Sequence, residues 1–91
     1  MKILVNRCFG GFDFSDFGYS LVGKLKTEDT LETRTHPEII ALTEKYGEKM
    51  FADYSDVEIA EIPDNATDFD INEYDGCETI IYVVNGKIYY D

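Results

Sequence analysis

Tryptophan is absent from this chain, and histidine occurs once, cysteine twice and proline twice in 91 residues. Each scarcity excludes something. Structural zinc sites take four Cys or His ligands, and Cys8, Cys77 and His36 supply three at most, so no metal and no cofactor is expected. One disulfide is arithmetically possible between Cys8 and Cys77. Nothing else in the composition suggests a disulfide-stapled secreted scaffold, and reduced, packed thiols are the expectation. No apolar run approaches the ~20 residues that span a bilayer. The opening Met1-Lys2-Ile3-Leu4-Val5 is interrupted by Asn6 and Arg7 too early for a secretion signal, so a cytoplasmic location is expected.

Positive charge is the largest deficit. Eight Lys and Arg face 19 Asp and Glu, a net charge of −11. Between Lys49 and Lys87 there is no basic residue at all, while Asp53, Asp56, Glu58, Glu61, Asp64, Asp68, Asp70, Glu73, Asp75 and Glu78 fall in that stretch. Such a field repels nucleic acid and anionic membranes and attracts basic protein surfaces. Direct nucleic-acid binding and membrane binding are therefore not expected. Solubility alone also accounts for an acidic balance.

What the chain does have is apolar content. Hydrophobic residues make up 44% and aromatics 14%, enough to exclude disorder by composition. The length admits one core, so residues 1–91 are read as a single domain of modest stability. Residues 2–8 are short, β-branched and apolar, and predict a strand that Gly10-Gly11 breaks. Ser15 is positioned to cap a helix carrying Phe17, Leu21, Val22 and Leu25 on one face, with Gly18 and Gly23 weakening it relative to alanine. Thr27–Thr33 reads as a loop. Thr35-His36-Pro37-Glu38 has capping-box spacing with proline in the first turn, opening a helix through Ile39, Leu42, Tyr46 and Met50 to about Phe51. Alternating runs at 57–62 and 69–74 predict strands. Thr79–Val84 is apolar on both faces and reads as an interior strand, and 87–90 reads as a returning edge strand, with turns at Asp75-Gly76 and Asn85-Gly86, the latter of type I′. The expected fold is α+β in the order β-α-α-β-β-β-β, an antiparallel-rich sheet of four to five strands with two helices on one face.

No motif with a defined chemistry survives inspection. Asp68-Phe69-Asp70-Ile71-Asn72 copies the first ligand spacings of an EF-hand loop, but position six is Glu73 rather than glycine and position twelve is Thr79 rather than glutamate. Arg7 can lower the pKa of Cys8, and His36 could serve it as a base. A packed thiol and a local capping histidine explain the same residues. Gly10-Gly11 lacks the rest of a phosphate loop, and Asp13 and Asp16 would repel a phosphate. Arg7 and Arg34, the only arginines, each precede a turn into a helix. If they meet beside His36 they form a cationic spot fit for a phosphorylated small ligand; if each is paired with nearby acids, they do not.

The segments Met1–Phe12, Arg34–Pro37, Val57–Asp64 and Ile71–Gly76 resemble those of small uncharacterised proteins encoded by bacteriophages and prophages. The tyrosine-rich run Asn85–Asp91 departs from that pattern. The resemblance implies an accessory protein acting in the cytoplasm of a bacterial host, and it carries no catalytic residue with it. Two functions are expected from it and from the charge. The first is a non-enzymatic inhibitor of a host defence system, such as an anti-CRISPR. It would imitate the charge of DNA and dock Asp53, Asp56, Glu58, Asp64, Asp68, Asp70, Glu73, Asp75 and Glu78 on a basic nucleic-acid-binding protein. The second is a binder that sequesters a phosphorylated nucleotide signal at Arg7, Arg34 and His36. An exposed tyrosine on the final edge strand is an expected anchor for self-association or partner binding.

Overall fold

Ile3, Leu4 and Val5 set the architecture, because all three are completely buried although they alternate sides along one strand. A strand apolar on both faces has to be covered twice. Strand β1 (Lys2–Asn6) pairs antiparallel with β2 (Val57–Glu61), Leu4 opposite Ile59 and Ile3 opposite Ala60. One face of this ribbon, carrying Leu4 and Ile59, packs against helices through Phe14, Val22, Ile39, Ile40, Met50 and Phe51. The opposite face, with Ile3, Val5 and Ala60, packs against Ile80 and, at its margins, Phe69, Ile71 and Tyr82. Those residues belong to a second sheet of β3 (Asp68–Tyr74), β4 (Cys77–Val84) and β5 (Lys87–Tyr90), antiparallel with β4 in the centre. In this computed structural model, which describes residues 1–23, 25 and 30–91, the molecule is thus α+β with two antiparallel sheets.

The single sheet expected from the sequence is divided in two, and among the described residues the helix layer holds three α-helices rather than two. These are α1 (Asp16–Val22), α2 (Leu31–Thr35) and α3 (Pro37–Tyr46). Ser15 caps α1 as expected, its side chain accepting from the Gly18 N–H. Helix α2 occupies part of the expected Thr27–Thr33 loop, and Thr27, Glu28 and Asp29 of that expectation lie outside the described residues. The capping box is also displaced. Thr35 closes α2, its hydroxyl donating to the Leu31 carbonyl, and His36 caps α3 by accepting the Glu38 N–H on Nδ1. A polar side chain one residue nearer the proline takes the role that spacing alone assigned to Thr35. After α3 a 3₁₀ turn, Gly47–Met50, delivers Met50 and Phe51 to the core.

Gly18 lies where α1 touches that turn. A Cβ there would sit 2.0 Å from the Met50 carbonyl oxygen, so the close approach of the two elements depends on glycine. Both hairpin turns join the β3–β4–β5 sheet with paired positive φ angles, 51° and 87° at Asp75-Gly76 and 52° and 77° at Asn85-Gly86. These are the type I′ values that match the twist of the strands.

Candidate functional site

In an antiparallel ribbon alternate residues point their backbone groups toward the partner strand and away from it. Arg7 and Met1 bond β2 or its extensions, so Leu4 and Asn6 turn their C=O and N–H to the free edge of β1. That edge lies in the interior, where an unpaired amide or carbonyl costs about 1–3 kcal/mol. Two side chains replace the missing strand. Glu78 Oε1 accepts the Asn6 N–H at 2.7 Å, and Arg34 Nη1 donates to the Leu4 carbonyl at 3.2 Å. The two close on each other as a fork, Nη1 to Oε1 at 2.6 Å and Nη2 to Oε2 at 2.7 Å, in a bidentate pair of the strongest kind. The Phe12 ring covers the guanidinium, its centroid 3.7 Å from Cζ.

Glu78 is therefore not part of the acidic surface to which the charge pattern assigned it; it is 6% exposed and structural. Its phase along β4 was the available signal, since it shares the inward face with Ile80. The arginines do meet, but on this residue: Arg7 Nη1 donates to the Glu78 carbonyl while Arg34 holds its carboxylate. Arg7 also pairs with Glu58 at 2.7 Å and with Asp91. These carboxylates raise the Arg7 pKa against the opposing effect of burial. His36 is spent on its helix cap. Every member of the expected cationic spot has an intramolecular role. Arg34 is 2% exposed and its fork is filled by protein carboxylate.

The cysteines are free and half-buried. The Cys8 thiol donates to the Tyr54 carbonyl at 3.0 Å, packed against backbone. Gly10-Gly11 is a close-approach device: a Cβ on Gly10 would fall 1.7 Å from the Tyr54 carbonyl oxygen. Among the described residues no group of three or more His, Cys, Asp or Glu could hold a metal ion, and no helix is long and apolar enough to cross a membrane.

A polar cluster that local sequence gave no sign of joins residues 13, 19 and 54. The Asp13 carboxylate accepts from the Tyr19 hydroxyl at 2.6 Å, from the Tyr54 hydroxyl and from the Phe14 N–H at 2.9 Å. The phenol hydrogen bonds favour the ionised acid and lower the Asp13 pKa; the same bond raises Tyr19 to about 12, and Tyr54 rises too. Asp13 thus stabilises the fold above the unfolded carboxylate range and ceases to do so as pH falls through its lowered value. Tyr19 contributes below pH 10.0, and its contribution is lost as pH climbs to about 12. A near-ultraviolet absorbance titration is expected to show one phenol ionising near 12 in the intact protein. In Asp13→Asn that midpoint should fall toward the ordinary tyrosine value; an unchanged titration would mean that the carboxylate does not hold Tyr19.

The remaining expected acids are spread around the molecule. Asp53 and Asp56 precede β2, while Asp64 follows it and pairs with the N-terminal amine at 2.7 Å. Glu58 is held by Arg7, the Glu73 carboxylate accepts the Gly76 N–H, and Asp75 sits in the β3–β4 turn. Asp68 and Asp70 differ, because they stand beside uncovered apolar side chains. Register places Asp68, Val83 and Ile88 in one row across the three-stranded sheet and Asp70, Ile81 and Tyr90 in the next. Alternation puts both rows opposite to Ile80 and Tyr82, hence on the sheet face away from β1. Ile88 is 63% exposed and Tyr90 66%. Asp68, Asp70, Ile81 and Val83 also line a shallow depression of about 80 Å³ on this face. The chain matches no family model, no curated protein and no solved structure.

Proposed function

We propose that the chain is a non-enzymatic binding protein that docks the outer face of its β3–β4–β5 sheet on a basic, nucleic-acid-binding protein. The observation that carries this reading is the adjacency of Ile81, Val83, Ile88 and Tyr90 to Asp68 and Asp70 on a face that no other element covers among the described residues. An apolar centre with a charged margin is the composition of a protein interface, and the acids select a basic partner and speed its approach. The resemblance to bacteriophage accessory proteins makes that partner a host defence factor and the protein its inhibitor, as an anti-CRISPR would be.

Asp68 and Asp70 also bond backbone. Their carboxylates accept the N–H groups of Phe69 at 2.9 Å and Ile71 at 2.8 Å. Asp68→Asn with Asp70→Asn keeps those acceptors and removes only charge. Proteins captured from bacterial lysate by the immobilised wild type should bind the double variant roughly 10-fold more weakly at low salt, at about 0.2–1 kcal/mol per exposed ion pair. The wild type should release them as salt rises. Equal capture by both proteins at every salt concentration would show that this face is not the binding surface.

A further inference from the structure

The two edges of the three-stranded sheet are finished differently. On β3 the N–H groups of Phe69 and Ile71 point away from β4 and are occupied by Asp68 and Asp70, which blunts that edge against strand addition. On β5 the Asp91 N–H donates to the Ile80 carbonyl, so residues 87, 89 and 91 face β4, and Ile88 and Tyr90 turn their backbone groups outward. Among the described residues no strand lies beyond β5.

The residues on that open edge are self-complementary. We propose that β5 pairs antiparallel with β5 of a second copy of this chain, on a two-fold axis through Tyr89, forming a continuous six-stranded sheet. In this register Ile88 and Tyr90 of each copy exchange both backbone hydrogen bonds with Tyr90 and Ile88 of the other. The same residues form apolar cross-strand pairs on the outer face. Lys87 falls opposite Asp91 of the second copy at both ends, so the charges match by symmetry. Asp91 also pairs with Arg7 of its own chain, and shifting the register by two residues takes Lys87 away from it. Repulsion between two chains of charge −11 opposes the contact, and at physiological salt it is screened over about 8 Å. The pairing shares Ile88 and Tyr90 with the docking face proposed above but uses neither Asp68 nor Asp70. The Asp68→Asn, Asp70→Asn capture therefore reads the docking face alone, and the oligomeric state reads the pairing alone.

Sedimentation equilibrium of the full chain at physiological salt reads the association directly. A dimer fraction rising with concentration is expected, with Ile88→Lys monomeric throughout and folded. Its thermal melt should match that of the wild type at dilutions where the wild type is monomeric, since that side chain is 63% exposed in the monomer. The register is read by disulfide trapping in a Cys8→Ser, Cys77→Ser background. Tyr89→Cys places two cysteines across the axis with Cα atoms about 4.5 Å apart, within disulfide reach, and it should cross-link readily. Lys87→Cys leaves the pair about 13 Å apart, four residues along the strand, and should not. A wild type that stays monomeric at millimolar concentration would overturn the proposal. An Ile88→Lys dimer, or cross-linking at 87 as efficient as at 89, would do the same.

Discussion

Replacing Glu78 by alanine is expected to cost about 3–5 kcal/mol, the range for stripping one partner from a buried ion pair. A chain of this size has roughly 5–15 kcal/mol in all, so the variant should be near the edge of folding at room temperature. Three losses combine. Arg34 keeps its charge inside the protein without the Glu78 carboxylate, the Asn6 N–H loses its Glu78 acceptor, and the guanidinium is no longer aimed at the Leu4 carbonyl. Urea denaturation of the variant checks the figure. The informative comparison is Arg34→Met with Glu78→Leu. Exchanging both members of a buried pair for apolar residues is often neutral or stabilising. Here the double variant should recover only part of the loss, because two backbone groups of β1 would still lie bare, each costing about 1–3 kcal/mol. Full recovery would mean that the pair does not serve as the missing strand of that edge.

Gly18→Ala is expected to destabilise by roughly 2 kcal/mol, the opposite sign from what helix propensity alone predicts. Alanine in a helix interior is favoured over glycine by about 0.8–1 kcal/mol, and α1 read by itself gains from the change. The tertiary structure reverses this. The new methyl carbon would meet the Met50 carbonyl oxygen at 2.0 Å, and a backbone atom at the end of a 3₁₀ turn has no rotamer with which to withdraw. The helix must move off the turn, loosening Val22 and Met50, both completely buried, at the ~1–3 kcal/mol typical of overpacking or more. Thermal unfolding monitored by circular dichroism gives the sign; a variant at least as stable as wild type would show that α1 can shift without loss.

These two residues illustrate which kind of information each level carries. Where structure follows from local stereochemistry, reading the residues succeeds. Asn85-Gly86 and Asp75-Gly76 form type I′ turns because few other pairs tolerate positive φ twice in succession. Ser15 caps α1 because its hydroxyl reaches the third N–H along. Alternation finds the strands observed at 57–61 and 68–74 to within a residue, and the run 79–84, apolar on both faces, finds most of β4 and its place in the middle of its sheet.

Other features depend on which surfaces meet. Glu78 lies in a run of acids and turn residues; its phase with Ile80 marks its face, and the packing of β4 on β1 makes that face interior. Arg34 and Glu78 are 44 residues apart, and no local pattern pairs them. Asp13, Tyr19 and Tyr54 come together because the segment after the 3₁₀ turn returns alongside residues 10–15, with the Ala52 N–H on the Asp13 carbonyl. The division into two sheets has the same origin: β1 needed cover on both faces, which one continuous sheet under a single helix layer does not provide. By itself the sequence determined the α+β class, the turns, most strand positions and the acidic balance, since each rests on residue type and short spacing. Tertiary structure alone decided which acids are interior and which exposed, and which sheet edge is closed and which is open. Those outcomes depend on desolvation and pairing between segments distant in the chain.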